Sequence, residues 1–338
     1  MPTLLPTGKL PHDLLSRLLS GLPPDPSVLV GPGWGRDVAV LEVDDGPDLL
    51  VATADPITFA TAALGEYALA VNLNDLATSG GEPRWLLVTL LLPAGQATEE
   101  GAAEIFRQLR AAADRYGVAL VGGHTEVTPA VTQPVVCGAM LGTVPRGEYL
   151  TAAGVRPGDA ILALGPAPVE GTSLLAREHT ALLYEPGICV LPYARLLREA
   201  GVEVHALHDP TEGGLATGLW ELAGASGVGI EADLERAPRL PLGQRFCAAL
   251  GIDWRGLIAS GCLLAAVAPG GAPRALALAT ERGLPAARLG TARAAPRPEV
   301  PGVPFFEQDE ITRVGERPGG APLSTEGNLP RPPFDSKA

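Results

Sequence analysis

The sequence predicts an α/β (α+β) protein of two domains, and three observations carry that expectation. Its 338 residues are enough for two cores, and 46% hydrophobic with 19% charged residues suits a packed globular chain. Short apolar runs of strand length alternate with amphipathic runs of helix length along most of the chain. The segment GEYLTAAGVRPGD (147–159) interrupts both patterns and marks a boundary. The expected division is 1–150, 151–317 and an extended or disordered Pro/Gly-rich tail over 318–338.

The elements follow in order. VAVLEV (38–43) and LLVATAD (49–55) read as strands joined by a turn at DDGPD. Residues 64–80 read as a helix, with Leu69, Leu73 and Leu76 at helical spacing, and 84–92 as a buried strand. Residues 98–117 form an amphipathic helix with Thr98 as cap and Gly117 as stop. VALVGG and VTQPVVCGAMLGTV supply two more strands. The second half is expected to run strand 160–165, helix 170–178, helix 191–200, strand 202–207 and helix 214–225. Strand 228–233, helix 242–250, strands within 257–268, helix 273–282 and strand 286–292 complete it.

Composition excludes some functions. The formal charge is −13 and no lysine or arginine run occurs, so neither nucleic acid nor an anionic membrane is an expected partner. The N-terminus has no signal pattern, and no 18-residue stretch is free of Gly, Pro and charge, so the expected location is the cytoplasm. Cys137, Cys189, Cys247 and Cys262 are widely spaced among apolar neighbours and read as small buried hydrophobes.

Chemistry is concentrated in a few places. VNLNDLATSGG (71–81) holds two of the three asparagines in the chain, Asn72 and Asn74, followed by Asp75. Asn72, Asp75 and Ser79 share one helical stripe, which is either a solvated face or a set of oxygen ligands and amide hydrogen bonds. Asp37 closes GPGWGRD before a strand, Asp55 closes VATAD, and Glu126 follows VGGHT at the end of a strand. Carboxylates brought together raise one another's pKa unless a cation neutralises them, and oxygen-only ligands suit Mg²⁺ with nucleotide phosphates. The alternative is that each acid caps a turn. Gly122 and Gly123 either let backbone N–H groups approach a phosphate or form an ordinary turn, and His124 is either structural or a ligand. No His spacing for zinc accompanies it, TGKL (7–10) is not a Walker A loop, and GPGWG lacks the dinucleotide order. In HDPTEGGLATGLWELA (208–223), Asp209 and Thr211 precede a helix start at which Gly213 and Gly214 expose N–H groups, a capped terminus that also suits an anion.

Taken in order, GRDVAVL, ATAD, NLNDLATSGGEP, LVGGHTEV, GVRPGDAILALG, EGTSLLA and HDPTEGGLATGLWELA resemble the PurM-like ATP-binding superfamily. The likeness is greatest to the AIR synthase-related, HypE-type hydrogenase-maturation branch and runs from about residue 7 to residue 295. The resemblance implies an N-terminal domain that forms a homodimer through its sheet and a C-terminal α/β domain. It also implies ATP and Mg²⁺ as cofactors, a small-molecule substrate, and a protein partner in a maturation pathway. Carried over by position, Asp37, Asp55, Asp75 and Glu126 would hold metal, with Asp75 also catalytic. Asn74 would lie alongside, Gly122, Gly123, His124 and Thr125 would line the phosphates with Asp209, Thr211, Gly213 and Gly214, and Lys9 would reach the γ-phosphate. The implied chemistry is phosphoryl transfer from ATP to an amide, carbonyl or phosphate oxygen.

The chain departs from the pattern in places. Many relatives carry paired aspartates where Arg36-Asp37 stands, the thiamine-monophosphate kinases carry Asp in place of His124, and no Cys lies beside Lys9. No cysteine follows Cys262, so the C-terminal cysteine of HypE proper has no counterpart in this sequence. The leading expectation is an ATP-dependent enzyme; the rival is a nucleotide-binding regulator or maturation partner with reduced chemistry.

Overall fold

The protein's structure, a computed structural model, describes residues 5, 10, 12–33, 36–58, 63–176 and 187–315. Lys9, the end of the expected helix at 177–178 and the tail at 318–338 lie outside the described residues.

In chain order the first half contains α1 (His12–Leu19), β1 (Val28–Val30), β2 (Ala39–Leu41), β3 (Asp48–Ile57), α2 (Leu64–Thr78), β4 (Glu82–Pro93), α3 (Glu99–Tyr116), β5 (Ala119–Thr128) and β6 (Val135–Pro145). The second contains β7 (Ala160–Leu164), α4 (Val169–Ala176), α5 (Leu191–Glu199), β8 (Val204–His208), α6 (Gly214–Ser226), β9 (Gly229–Ala232), α7 (Pro241–Leu250), β10 (Leu263–Val267), α8 (Ala272–Glu281), β11 (Ala286–Arg293) and α9 (Thr312–Gly315). The first sheet has strand order β1-β2-β3-β6-β4-β5, the second β8-β10-β7-β11-β9. Among the strand pairs of the described residues only β4–β5 is parallel, and the other strand pairs are antiparallel. The alternation of strands and helices in the second half therefore does not produce a parallel sheet, because each new strand enters beside a non-sequential, oppositely directed neighbour.

Local rules set the elements well where the signals are local. Thr98 caps α3 by accepting from the Gly101 N–H at 3.0 Å, and Gly117 ends it in the left-handed region at φ 73°. α2 is buried on nearly every side: it lies on β3, β4 and β6, packs against α3, and meets α5 of the second half. Gly65 permits the α3 contact, since a Cβ there would sit 2.6 Å from the Ile105 carbonyl oxygen. The core that includes α2 continues into β7, α5 and β10, so the two halves share hydrophobic packing.

Polar contacts reinforce this junction. The Asn74 side chain donates to the Ile188 carbonyl at 2.7 Å and accepts from the Val190 N–H at 2.8 Å. Glu82 accepts from Arg195 at 2.8 Å and Arg198 at 2.6 Å, and Tyr67 Oη lies 3.3 Å from Ser173 Oγ. The exposed Glu82 pairs add little; the buried Asn74 bonds matter more, because their partners would otherwise be unsatisfied.

Candidate functional site

The polar stripe on α2 is not a solvated face. Asn72, Asp75 and Ser79 are 0%, 8% and 1% exposed. Asn72 accepts from the Asp55 N–H at 3.2 Å and donates to the Ala68 carbonyl at 2.8 Å, which holds the end of β3 against α2. Gly138 faces Asp55 across the β3–β6 ladder, and a Cβ there would come within 2.5 Å of Asn72 Nδ2. Glycine at 138 thus makes room for the amide that positions Asp55. One turn along α2, Asp75 accepts from Thr53 Oγ1 at 2.6 Å.

Asp75 does not stand alone. Burial, followed by the charges of Asp209, Asp55 and Asp37, pushes its carboxyl well above the usual carboxylate range. Asp37 precedes β2, and Asp209 follows directly on β8, so both halves of the molecule deliver acids to one place. Asp37, His208 and Asp209 each offer a ligand atom, all within 4.8 Å of one another. His208 Nδ1 lies 3.5 Å from Asp37 Oδ2, and its Nε2 lies 2.7 Å from Glu221 Oε2 on α6. Burial opposes charge on His208, but the carboxylates of Asp37 and Glu221 outweigh it and raise its pKa well above the ordinary imidazole value.

Three aspartates gathered around a buried fourth are costly without positive charge. A divalent cation supplies that charge, and carboxylate oxygens are the donors Mg²⁺ accepts. The residues therefore fit a nucleotide-bound Mg²⁺, with Asp37, Asp55, Asp75 and Asp209 as the groups that would hold it.

Other expected residues fall elsewhere. Gly122 and Gly123 do not end a strand: β5 runs on through His124, Thr125 and Glu126 to Thr128, in parallel register with β4. The pair reads as a turn in isolation, but β4 supplies continuous partners on both sides of a bulge at Val121. Gly123 is required by close approach, since a Cβ would lie 1.8 Å from the Val88 carbonyl oxygen. Asp55, Gly138, Val88 and Gly123 are successive partners across β3, β6, β4 and β5, so Gly123 lies three strand spacings, about 14 Å, from Asp55. His124 and Glu126 contact each other at 3.3 Å with side chains 65% and 47% exposed. Within one chain, Glu126 is not part of the aspartate cluster.

The α6 terminus also differs from expectation. Gly213 and Gly214 do adopt positive φ, at 78° and 65°, but their N–H groups are not open to an anion. Gly213 donates to Asp309 Oδ2 at 2.8 Å and Gly214 to the Thr211 carbonyl at 3.0 Å. A carboxylate of the protein itself occupies the helix terminus. Asn74 likewise has its amide engaged between the two halves. His208, Glu221, Thr53 and Asp309 escaped sequence reasoning. Only His208 had an available signal, its place beside Asp209 at the end of an apolar strand.

A two-sheet molecule with acids delivered to the junction from both halves is a PurM-like two-domain protein. Residues 35–144 match the family model for AIR synthase related protein, N-terminal domain, and residues 156–302 that for its C-terminal domain. The chain belongs to the AIR synthase-related family. The carbamoyl dehydratase HypE of Cupriavidus necator is 31% identical over 242 residues, 65% of each chain. The selenide, water dikinase of Nitratidesulfovibrio vulgaris is 32% identical over 245 residues, 67% of each. The hydrogenase maturation protein HypE solved in complex with ATP aligns with a TM-score of 0.67 at 26% identity, over 87% of this chain and 95% of that one. HypE in its complex with HypF shares the fold, with a TM-score of 0.68 at 22% identity over 81% and 93% of the chains; that HypE has a protein partner.

Proposed function

We propose that this chain is an ATP-dependent enzyme of the AIR synthase/HypE type that phosphorylates an amide, carbonyl or phosphate oxygen of a small substrate. The observation that carries the reading is Asp75, buried on α2 beside Asp37, Asp55 and Asp209 in a fold shared with an ATP-bound relative. Mg²⁺ would contribute neutralisation of the phosphoryl charge. Asn72 fixes the backbone of Asp55, Thr53 fixes one oxygen of Asp75, and the Asn74 bonds hold the second half, with Asp209, against the first. These groups are locked by their neighbours before any nucleotide arrives, which is what electrostatic stabilisation of a transferring phosphoryl requires.

The homodimer belongs to the same reading. Trp85, Leu87, Leu120, Val121 and Val127 are 38–59% exposed on β4 and β5, an apolar row beside an open strand edge. Pairing of two copies over this row would cover it, and Gly122 to Thr125 would then line phosphates at the subunit boundary, with Lys9 near the γ-phosphate. A protein partner in a maturation pathway and a cytoplasmic setting complete the proposal. No helix among the described residues is long and apolar enough to cross a membrane.

The test is Mg–ATP turnover measured against a panel of carbamoyl, amide and phosphorylated compounds. The reading expects one compound to raise turnover about tenfold or more above the basal rate, with the gain lost in Asp75→Ala. A protein that binds no nucleotide in the presence of Mg²⁺ would sink it.

A further inference from the structure

We infer that His208 is itself a metal ligand, oriented by Glu221, and that the cation site therefore prefers a first-row transition ion such as Mn²⁺ to Mg²⁺. This rests on the reading that the aspartate cluster holds a cation. The evidence lies in the two sides of one imidazole ring. On one side, Glu221 Oε2 approaches Nε2 at 2.7 Å. An ionised carboxylate only accepts, so Nε2 keeps its hydrogen, and a cation bound at Nδ1 would replace the proton that the neighbouring carboxylates otherwise favour there. On the other side, Nδ1 faces Asp37 Oδ2 at 3.5 Å, too long for a good hydrogen bond, with an Asp209 oxygen inside the same 4.8 Å grouping. Carboxylate, imidazole and cluster form the arrangement by which proteins orient metal-bound histidines. A histidine held only to balance charge would make two short contacts with its carboxylates. Here the Glu221 contact is short, at 2.7 Å, and the Asp37 contact is long, at 3.5 Å.

The ring is also well placed to act as a fixed donor. His208 ends β8, its side chain is 6% exposed, and Glu221 reaches it from α6 in the same half of the molecule. Asp37 comes from the other half, so a cation bound to both would join the two. Imidazole nitrogen adds affinity along the first-row transition series, whereas Mg²⁺ favours oxygen and keeps its waters. One nitrogen among carboxylates therefore biases the site without excluding Mg²⁺.

The test uses the full chain with Mn²⁺ alone as probe, without nucleotide. Pulsed electron paramagnetic resonance reads whether a directly bound imidazole nitrogen couples to the manganese, and calorimetric competition compares Mn²⁺ with Mg²⁺. The proposal expects nitrogen coupling and Mn²⁺ bound about tenfold or more tightly than Mg²⁺. His208→Asn should abolish the coupling and the preference while a cation still binds, and Glu221→Gln should weaken Mn²⁺ by about 10- to 100-fold. Mn²⁺ bound to the natural protein without nitrogen coupling would overturn the proposal and leave the functional reading standing. Failure of both ions to bind, even with ATP present, would overturn both.

Discussion

The aspartate cluster and strand β5 make an instructive pair, because both were expected to hold the same ligand and the chain treats them in opposite ways. The cluster is closed at its centre: Asp75 and Asp209 are 8% and 4% exposed while Asp37 and Asp55 are half-buried, and Thr53, Asn72 and Asn74 hold the backbone and side chains around them. β5 is open: residues 119–127 are exposed throughout, although the strand is laddered to β4 on both sides of the Val121 bulge. The difference teaches that closure of the cluster comes from contact between the two halves of one chain. No element of the same chain among the described residues closes over β5.

That contrast can be broken or sharpened by mutation. The largest effect is expected at Asp75. Asp75→Ala should weaken Mg–ATP by about 3 kcal/mol, roughly a hundredfold, while the fold holds because a repelling buried charge has gone. Calorimetry beside a thermal melt checks both halves of that statement. Asn74→Ala should act on stability first. It leaves the buried Val190 N–H and Ile188 carbonyl unsatisfied, costing about 1–3 kcal/mol each, and denaturant unfolding should show the loss.

A third prediction uses Asp309 as a buried carboxylate away from the cluster. Burial pushes its carboxyl up to about 6, against the pull of the Ile311, Gly213 and Ile258 N–H groups. Its ordinary value is 3.8, so between 3.8 and about 6 the native state keeps a proton that the unfolded state has released. This contribution to stability is fully present below 3.8 and is lost as pH rises through about 6. The loss is on the order of 3 kcal/mol. Unfolding free energies measured from pH 4 to pH 7 should therefore fall less steeply in Asp309→Asn than in the natural protein; identical slopes would contradict the assignment. The smallest effect on the single chain is expected at β5. Val121→Asp, half-exposed on an edge strand, should change protomer stability by under about 1 kcal/mol. It should nonetheless separate the proposed dimer in light scattering.

The same contrast explains what could be read beforehand. α3 was legible to the residue, because Thr98 and Gly117 signal its ends through contacts three or four residues long. Asp55 and Asp75 were legible as candidates, since acids at a strand end and inside an apolar helix break local patterns. Their neighbours were not. Thr53, His208 and Asp309 acquire roles only through contacts 22, 171 and 96 residues away, with Asp75, Asp37 and Gly213 respectively. β5 misled for a related reason: two glycines favour a turn locally, and only the parallel ladder to β4, which at Gly123 comes closer than a Cβ allows, makes them strand residues. The antiparallel order of the second sheet was likewise hidden, because alternation of elements carries no information on which strands become neighbours.

The central claim is that the buried aspartates hold a nucleotide through a divalent cation, and one measurement tests it most directly. ATP is titrated into the purified natural protein by calorimetry with and without Mg²⁺. The account predicts saturable binding of one ATP per chain that depends on the cation and is lost when EDTA is added. Binding of equal strength with and without the cation, or no binding in either case, would contradict it.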